Sequence, residues 1–305
     1  MNSLALRASR PGRVAAALAF GLAVAFLLAA SAGHAQPTSS AAERGNALPR
    51  TSPNATVGQT VGVTEVRLAY GRPSARGRDI FGGLVPYGKI WRTGANEATT
   101  ISFSDDVRVE GQPLEAGRYS LFTVPGRDSW TVILNEVADQ WGAYEYDAGQ
   151  DALRVEVEPQ QPPHAHEQMA FRFAGVTDTS AVVNLVWEDV RVPFRIATDT
   201  PANVRAKAEA AMEDAGDWRA PYQYAAYALE NGHYREAALR WAERSIALEG
   251  TFQNTALKAR LLAAMERYGE ARASAERAVA MAEEMGETPQ GLGPLREQMA
   301  DWEAR

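Results

Sequence analysis

The sequence of 305 residues contains no cysteine and only four histidines. Without cysteine there are no disulfides and no lipid-bearing N-terminal cysteine, so the protein must be held by its own cores. The lack of histidine leaves no convincing partner set for a Ser-His-Asp type of site. Phosphate-cradling loops of the GxxxxGK[ST] and GxGxxG types are missing as well. These absences argue against most enzyme classes, and the sequence predicts no cofactor and no metal ion.

Charged residues are scarce at the N-terminus, where three arginines precede the 17-residue apolar run Val14–Ala30. Small residues follow at Gly33 and Ala35. This order is typical of a secretory signal peptide, here residues 1–35, cut near Ala35. An uncleaved anchor is the alternative, because the apolar run approaches the lower length limit for a span. The small, polar residues after the cut favour cleavage, so we expect a periplasmic or secreted protein with no stable membrane anchor.

Basic residues are outnumbered in the remaining chain. The predicted signal holds three of the 31 Lys and Arg residues and none of the 38 Asp and Glu residues, which leaves 28 basic against 38 acidic side chains and a net charge of −10. An acidic surface repels polyanions, so nucleic acid is not an expected partner.

The composition divides the rest of the chain into three parts. Residues 36–56 are rich in Ser, Thr, Ala, Pro and Asn and are predicted to form a flexible leader. Residues 57–197 contain short runs of alternating apolar residues broken by turn residues, which predicts eight or nine strands. Hairpin-length gaps exclude a parallel sheet. We therefore expect an antiparallel β-sandwich or jelly-roll-like domain.

Residues 198–305 are rich in alanine, glutamate and arginine and are predicted to be helical. The segments YREAALRWAERSIAL from Tyr234 and YGEARASAERAVAM from Tyr268 resemble each other and start 34 residues apart, which is the tetratricopeptide period. The resulting fold class is a multidomain β + α protein: a β-sandwich followed by a tetratricopeptide-like helical domain. Such a domain predicts a protein partner.

Long segments of the β region resemble one bacterial family. RPSARGRDIFG, VPYGKIWRTGANEATT, AGRYSLFTVPG and WGAYEYD are similar to those of DUF2911, a domain of unknown function, from about Ser52 to Ile196. The resemblance implies an exported, β-rich domain that is sometimes joined to helical repeats, and it implies no activity.

The segment WRTGANEATT concentrates functional groups. Trp91, Arg92, Asn96 and Glu97 can converge if Gly94 adopts a conformation closed to other residues. Together they would suit a sugar or a peptide, with Trp91 for stacking and Arg92 for a carboxylate or phosphate. The alternative is a structural plug, in which Arg92 pairs with Glu97 and Trp91 fills the core.

A second group of candidate residues lies in the acidic and aromatic loop 139–147. Trp141 and Tyr144 resemble the lining of a carbohydrate cleft. A pair made by Glu97 with Asp139 or Asp147 would be the weak catalytic candidate, since glycoside hydrolysis uses two carboxyl groups. Ordinary sandwich loops also contain such residues.

Other candidates are basic or metal-ligating. Arg72, Arg76 and Arg78 form a local cluster, which either is solvated or, for Arg72 and Arg78, flanks the same cavity as Arg92 and attracts an anion. His164 and His166 have a spacing that suits a metal on a strand, with Glu167 as the only near third ligand, but a solvated loop is the preferred interpretation.

The leading hypothesis is a non-enzymatic envelope protein whose sandwich binds a small ligand or glycan and whose helices bind a protein. The alternatives are an exported hydrolase that acts on polysaccharide and a purely structural assembly scaffold.

Overall fold

The alternating runs form eleven β-strands in the structure, a computed structural model that describes residues 48–286 and 288–305. The strands are β1 (Asn54–Val61), β2 (Thr64–Gly71), β3 (Thr99–Phe103), β4 (Val107–Val109), β5 (Gln112–Leu114), β6 (Gly117–Val124), β7 (Trp130–Asn135), β8 (Asp151–Val157), β9 (His166–Ala174), β10 (Ser180–Glu188) and β11 (Val190–Thr198). The predicted signal peptide and most of the predicted leader lie outside the described residues.

The strands pair in two sheets. The first sheet has the order β1-β2-β3-β6-β7-β8, and the second has the order β5-β4-β11-β10-β9. Every pair of neighbours is antiparallel. The antiparallel β domain predicted from the hairpin-length gaps is therefore confirmed.

Side chains from both sheets share one hydrophobic core. The alternation of the sequence places them there, because residues two apart on a strand point to the same face. The largest members with almost no exposed surface are Trp130, Trp187, Phe194, Leu68, Ile101, Leu121, Leu134, Met169 and Ile196. Burial of each such side chain contributes about 1.5–3 kcal/mol relative to exposure.

Two edge strands bury few of their side chains. β1 begins at Asn54, before Val57 where order was expected, and most of its side chains are exposed or half-buried. β5 contains Pro113, which lacks a ladder donor and suits an edge. Both strands depend on pairing with one neighbour, β2 and β4 respectively, rather than on their own apolar side chains.

The described residues after the sandwich, 199–286 and 288–305, form six helices, and the helical structure predicted from their composition is confirmed. They are α1 (Thr200–Glu213), α2 (Arg219–Glu230), α3 (Arg235–Leu248), α4 (Phe252–Ala264), α5 (Tyr268–Glu284) and α6 (Leu292–Glu303). Each helix from α2 onward packs against the next, and α2 also contacts α4. Among the residues that the structure describes, no helix is both long and apolar enough to cross a bilayer.

Small side chains close the helix contacts. Ala242 in α3 and Ala275 in α5, which open the Ala-Glu-Arg triplets of the two similar segments, are both fully buried. The start of the two helices differs by one residue, because Tyr234 precedes α3 with a positive φ of 49° while Tyr268 is the first residue of α5. That difference explains why the triplets are 33 residues apart although the segments start 34 residues apart.

Helix α1 is attached to the sandwich. Asp199 caps its first turn by accepting a hydrogen bond from the backbone of Ala202. Asn203 donates to the hydroxyl of Thr64 at 3.0 Å. Lys207 forms an ion pair with Asp105 at 2.7 Å. The helix therefore begins at a fixed place on the sandwich.

Candidate functional site

Residues 72–98 connect β2 to β3 and reach from one sheet to the other. The Ala75 N–H donates to the carbonyl of Glu167 just inside β9, at 2.8 Å. Further along, Trp91 and Thr123 of β6 exchange two backbone hydrogen bonds of 2.8 and 2.9 Å. Its middle is held as well, because the Gly88 N–H donates to the carbonyl of Pro125 at 2.8 Å.

Trp91 lies in an aromatic cluster with Phe81, Trp130 and Trp187. Its ring centroid is 6.0 Å from that of Trp187, with the two planes inclined by 21°, and Trp130 meets it edge-on at 6.4 Å. Only 8% of Trp91 is exposed. A ring stacked in this way belongs to the core, as the plug hypothesis expects, and leaves little open face for a sugar.

The unusual backbone conformation expected at Gly94 is found at two neighbouring residues instead. Positive φ values of 54° and 65° occur at Thr93 and Asn96, and Gly94 itself is not among the positive-φ residues. A Cβ at Gly94 would instead lie 2.8 Å from Thr99 Oγ1 and 3.1 Å from the carbonyl oxygen of Gly71. Gly94 is needed because β2 passes close by, which corrects the conformational argument made from the sequence.

Glu97 pairs with a residue other than Arg92. Its two carboxylate oxygens accept hydrogen bonds of 2.8 and 3.2 Å from Arg50. The internal Arg92–Glu97 pair of the plug hypothesis is not formed, because the structure leaves the Arg92 side chain without an ion pair among the described residues.

Arg50 belongs to a short strap, residues 50–53, that runs beside the same connection. Asn96 Nδ2 donates to the carbonyl of Ser52 at 3.2 Å. The backbone N–H of Arg72 donates to the carbonyl of Pro53 at 2.8 Å. These bonds hold the strap in place as one wall of a cavity.

A pocket of about 370 Å³ opens between this strap and the 72–98 connection. Arg76, Arg78 and Arg92 line it together with Trp91 and Trp187. No Asp or Glu is among its described lining residues. On a chain with more acidic than basic residues, this pocket is a local concentration of positive charge.

Arg92 is the least satisfied of these arginines. Its Nε is buried and has no hydrogen-bond partner among the described residues. Burial lowers the pKa of the Arg92 guanidinium, and the nearby Tyr144 phenol acts in the opposite direction. The group stays charged at neutral pH. Arg72 also has a buried, unpartnered Nε but does not line the pocket.

Local hydrogen bonds fix the other two arginines. Arg78 donates to the carbonyls of Ala75 and Ser74 at 2.9 and 2.7 Å. Arg76 has a positive φ of 54°, and its backbone N–H donates to the Glu167 carboxylate at 2.9 Å. The pattern RPSARGRD therefore forms a turn that places Arg76 and Arg78 in the wall of the pocket.

The loop 139–147 lies against the pocket wall. The Ala98 N–H donates to the carbonyl of Gln140 at 3.0 Å, and the Gly142 N–H donates to the carbonyl of Asn96, a lining residue, at 3.1 Å. Trp141 and Tyr144 of this loop are 49% and 87% exposed. The two segments singled out in the sequence are therefore neighbours, although neither exposed ring lines the pocket.

The candidate catalytic carboxylates occupy structural positions. Asp139 receives two hydrogen bonds from Arg118, at 2.8 and 2.9 Å, and these lower the pKa of Asp139 although burial opposes them. Asp147 accepts a hydrogen bond from the backbone of Gly149 and caps a 3-10 turn. Glu97 holds Arg50. A general acid for glycoside hydrolysis requires a raised pKa, which is the opposite of the shift at Asp139.

The histidine pair is divided by the start of β9. His166 is the first residue of this strand and His164 precedes it, while the Glu167 carboxylate accepts from the backbone of Arg76. Within residues 48–286 and 288–305, no group of three or more His, Cys, Asp or Glu side chains is arranged to hold a metal ion.

The structure brings four of the predicted ligand-binding residues to one pocket, namely Arg78, Trp91, Arg92 and Asn96. Glu97, Trp141 and Tyr144 lie beside it, and Arg72 lies behind its wall. Thr51, Ser52 and Trp187 were missed. Trp187 has the pattern of an ordinary inward strand residue, and the strap has no pattern at all, so only the tertiary structure shows that they meet the arginines.

Comparison with known proteins covers only the sandwich. Residues 52–196 match the family described as "Protein of unknown function (DUF2911)". Searches of curated proteins and of solved structures each found no significant match. The matched range runs from the strap to β11 and stops before the helices. The β-sandwich is therefore the part of the chain that is similar to the DUF2911 family.

Proposed function

We propose that the sandwich binds a small anionic ligand in the arginine-lined pocket and that this binding, rather than catalysis, is its role. The observation that carries the proposal is Arg92, a partly buried guanidinium with an unsatisfied Nε in a pocket whose described lining contains no carboxylate. An unpaired buried charge costs free energy. A ligand that brings a carboxylate or phosphate offsets that cost through charge-assisted hydrogen bonds.

The pocket suits a compact ligand with both polar and apolar parts. Its volume of about 370 Å³ lies at the lower end of small-molecule sites, which span roughly 300–1,000 Å³. Asn96 and Ser74 supply polar groups and Leu84 supplies exposed apolar surface. Acidic sugars and small organic acids combine these features, so the glycan hypothesis narrows to acidic glycans.

We also propose roles for the other parts of the chain. The helices act as tetratricopeptide-like repeats and bind a protein partner, which is supported by the similar segments at Tyr234 and Tyr268 and by the buried alanines they share. The signal-like residues 1–35 support a periplasmic or secreted location.

Calorimetric titration of the full chain tests the pocket directly. We would titrate glucuronate, benzoate and inorganic phosphate, with glucose as the uncharged control, into the wild type and the Arg92→Met variant. Arg67→Met is the matched control, because Arg67 is an exposed arginine on β2 outside the pocket. We expect Arg92→Met to weaken acid binding about tenfold or more, equivalent to about 1.4 kcal/mol, while Arg67→Met has no effect.

Binding of the acids should also fall as salt is added, because mobile ions screen the arginines. The proposal is wrong if the wild type binds none of the acids, or if Arg92→Met and Arg67→Met weaken binding equally.

A further inference from the structure

We propose that the natural ligand is a glycan with one acidic residue, which enters the arginine-lined pocket, followed by neutral sugar residues that lie across Tyr144. This inference rests on the proposed function and adds to it a second subsite and a class of ligand. It follows from the position of Tyr144, from the distribution of charge around the pocket, and from the state of the nearest strand edge.

Tyr144 lies beside the pocket, near enough to Arg92 for its phenol to act on the pKa of that guanidinium. The Gly142 N–H donates to the carbonyl of Asn96, a lining residue, at 3.1 Å. The Tyr144 ring lies over Gly142, since a Cβ at that glycine would be 2.9 Å from the ring. The ring is nevertheless 87% exposed. An aromatic ring fixed over its own loop and open to solvent is a surface on which a sugar ring can stack.

The loop that carries Tyr144 differs in charge from the pocket. Positive side chains line the cavity, whereas Glu145 is an exposed neighbour of Tyr144, and Asp139 and Asp147 lie at the ends of the loop. Like charges repel, so Glu145 would disfavour a second acidic residue of a polyanion beside Tyr144. The site therefore selects a ligand whose charge is confined to the part that enters the pocket.

A peptide is disfavoured because the strand edge at the pocket is already occupied. Peptides commonly bind by adding a strand to an open sheet edge. Here the edge of β9 is covered by residues 73–75: Ala75 donates to the carbonyl of Glu167, and the Met169 N–H donates to the carbonyl of Pro73. Pro73 and Ser74 themselves line the pocket. No backbone donor of that edge is left for a bound chain at these positions.

Calorimetry with four probes tests the two-part site. They are glucuronic acid, a trisaccharide of one glucuronic acid and two xylose residues, the all-acidic trigalacturonic acid, and neutral xylotriose. We expect the mixed trisaccharide to bind about tenfold more tightly than glucuronic acid. Trigalacturonic acid should show a smaller increase in affinity over glucuronic acid, and xylotriose should not bind. Tyr144→Ala should remove the gain of the mixed trisaccharide without changing glucuronic acid binding, and Tyr144→Phe should retain the gain.

Glu145→Gln tests the charge argument separately, because it should strengthen trigalacturonic acid binding and leave the mixed trisaccharide unchanged. The pocket proposal is supported if glucuronic acid binds and Arg92→Met abolishes that binding. The second subsite is nevertheless wrong if the mixed trisaccharide binds no more tightly than glucuronic acid, or if Tyr144→Ala leaves its tighter binding unchanged. If trigalacturonic acid binds as tightly as the mixed trisaccharide, the inference that the ligand has a single acidic residue is wrong. If no acidic probe binds, the proposed function and this inference both fail.

Discussion

The sandwich and the helical domain are packed with side chains of very different size. The sandwich core contains a contiguous set of tryptophan, phenylalanine and branched aliphatic residues. Alanines make up much of the two helical clusters, among them Ala242 and Ala275. A β-sandwich must fill a layer about 10 Å thick between its sheets, whereas helices can approach until their backbones nearly touch if small residues face each other.

Because of this difference, the sandwich is the region that can hold a buried charge that lowers the stability of the fold. The large aromatic core of the sandwich holds the 72–98 connection through Trp91, so the neighbouring Arg92 can remain charged with no ion pair among the described residues. The described residues of the helices contain no buried side-chain nitrogen or oxygen that lacks a partner. Their role would then depend on shape and exposed side chains.

Removal of a large core side chain gives the largest expected effect. Trp130 is 1% exposed and lies 5.0 Å from Phe81, centroid to centroid. Trp130→Ala should lower the free energy of unfolding by about 3–5 kcal/mol through lost burial and a residual cavity. Urea unfolding followed by near-UV circular dichroism measures it, with Trp130→Phe as a smaller change. A loss below about 1 kcal/mol would show that this cluster is not the main support of the sandwich.

Replacing a small buried side chain by a large one should lower the stability of the helical domain. Ala242 is fully buried, and Ala242→Leu should cost about 1–3 kcal/mol because the adjacent helices must move apart. Ala280→Leu on α5 is the matched control: Ala280 is exposed, so leucine there should change little. Far-UV circular dichroism during urea unfolding compares the two variants. Equal stability of the two would contradict close packing at Ala242.

The sequence predicts most of this framework because the framework depends on local pattern. Alternation marks Val66, Leu68 and Tyr70 as inward residues of β2, and all three are buried. The six helices follow from composition. The edge strands β1 and β5 are less plainly marked, because most of their side chains are exposed or half-buried, and each pairs with the strand next to it in the chain.

The candidate site was less predictable because it depends on contacts between residues that are distant in sequence. The crowding of functional groups in WRTGANEATT correctly marks an irregular segment, but local sequence does not specify which carboxylate meets which arginine. Glu97 is close to Arg92 in sequence and yet pairs with Arg50, 47 residues away. That choice leaves Arg92 without an ion pair among the residues that the structure describes.

The unpaired Arg92 makes a prediction of opposite sign to the core substitutions. Arg92→Met removes a desolvated charge and an unsatisfied donor while keeping the side-chain length, so it should stabilise the ligand-free protein by about 1 kcal/mol. Arg67→Met, at an exposed arginine, should leave the urea midpoint nearly unchanged. Destabilisation by Arg92→Met relative to Arg67→Met would favour the structural-plug hypothesis over a binding pocket.

The smallest effect on stability is expected at the Asp105–Lys207 ion pair, which joins the sandwich to helix α1. Burial raises the pKa of Asp105, but hydrogen bonds from Lys207 and Ser104 lower it by more, so the folded-state pKa lies below its ordinary value. The stabilisation by this ion pair is therefore fully present above the unfolded-state pKa and is lost as the pH falls through the folded-state pKa.

Asp105→Asn should accordingly cost about 0.5–1 kcal/mol at neutral pH, because the Lys207 end of the pair is substantially exposed to solvent. The difference from the wild type should shrink in acid, where the wild-type carboxylate is protonated too. Urea unfolding at neutral and acidic pH measures this change, and a double-mutant cycle with Lys207→Gln isolates the pair. Arg205→Gln, which breaks an exposed pair within α1, is the control. If Asp105→Asn costs the same at both pH values, the pair does not join helix α1 to the sandwich through charge.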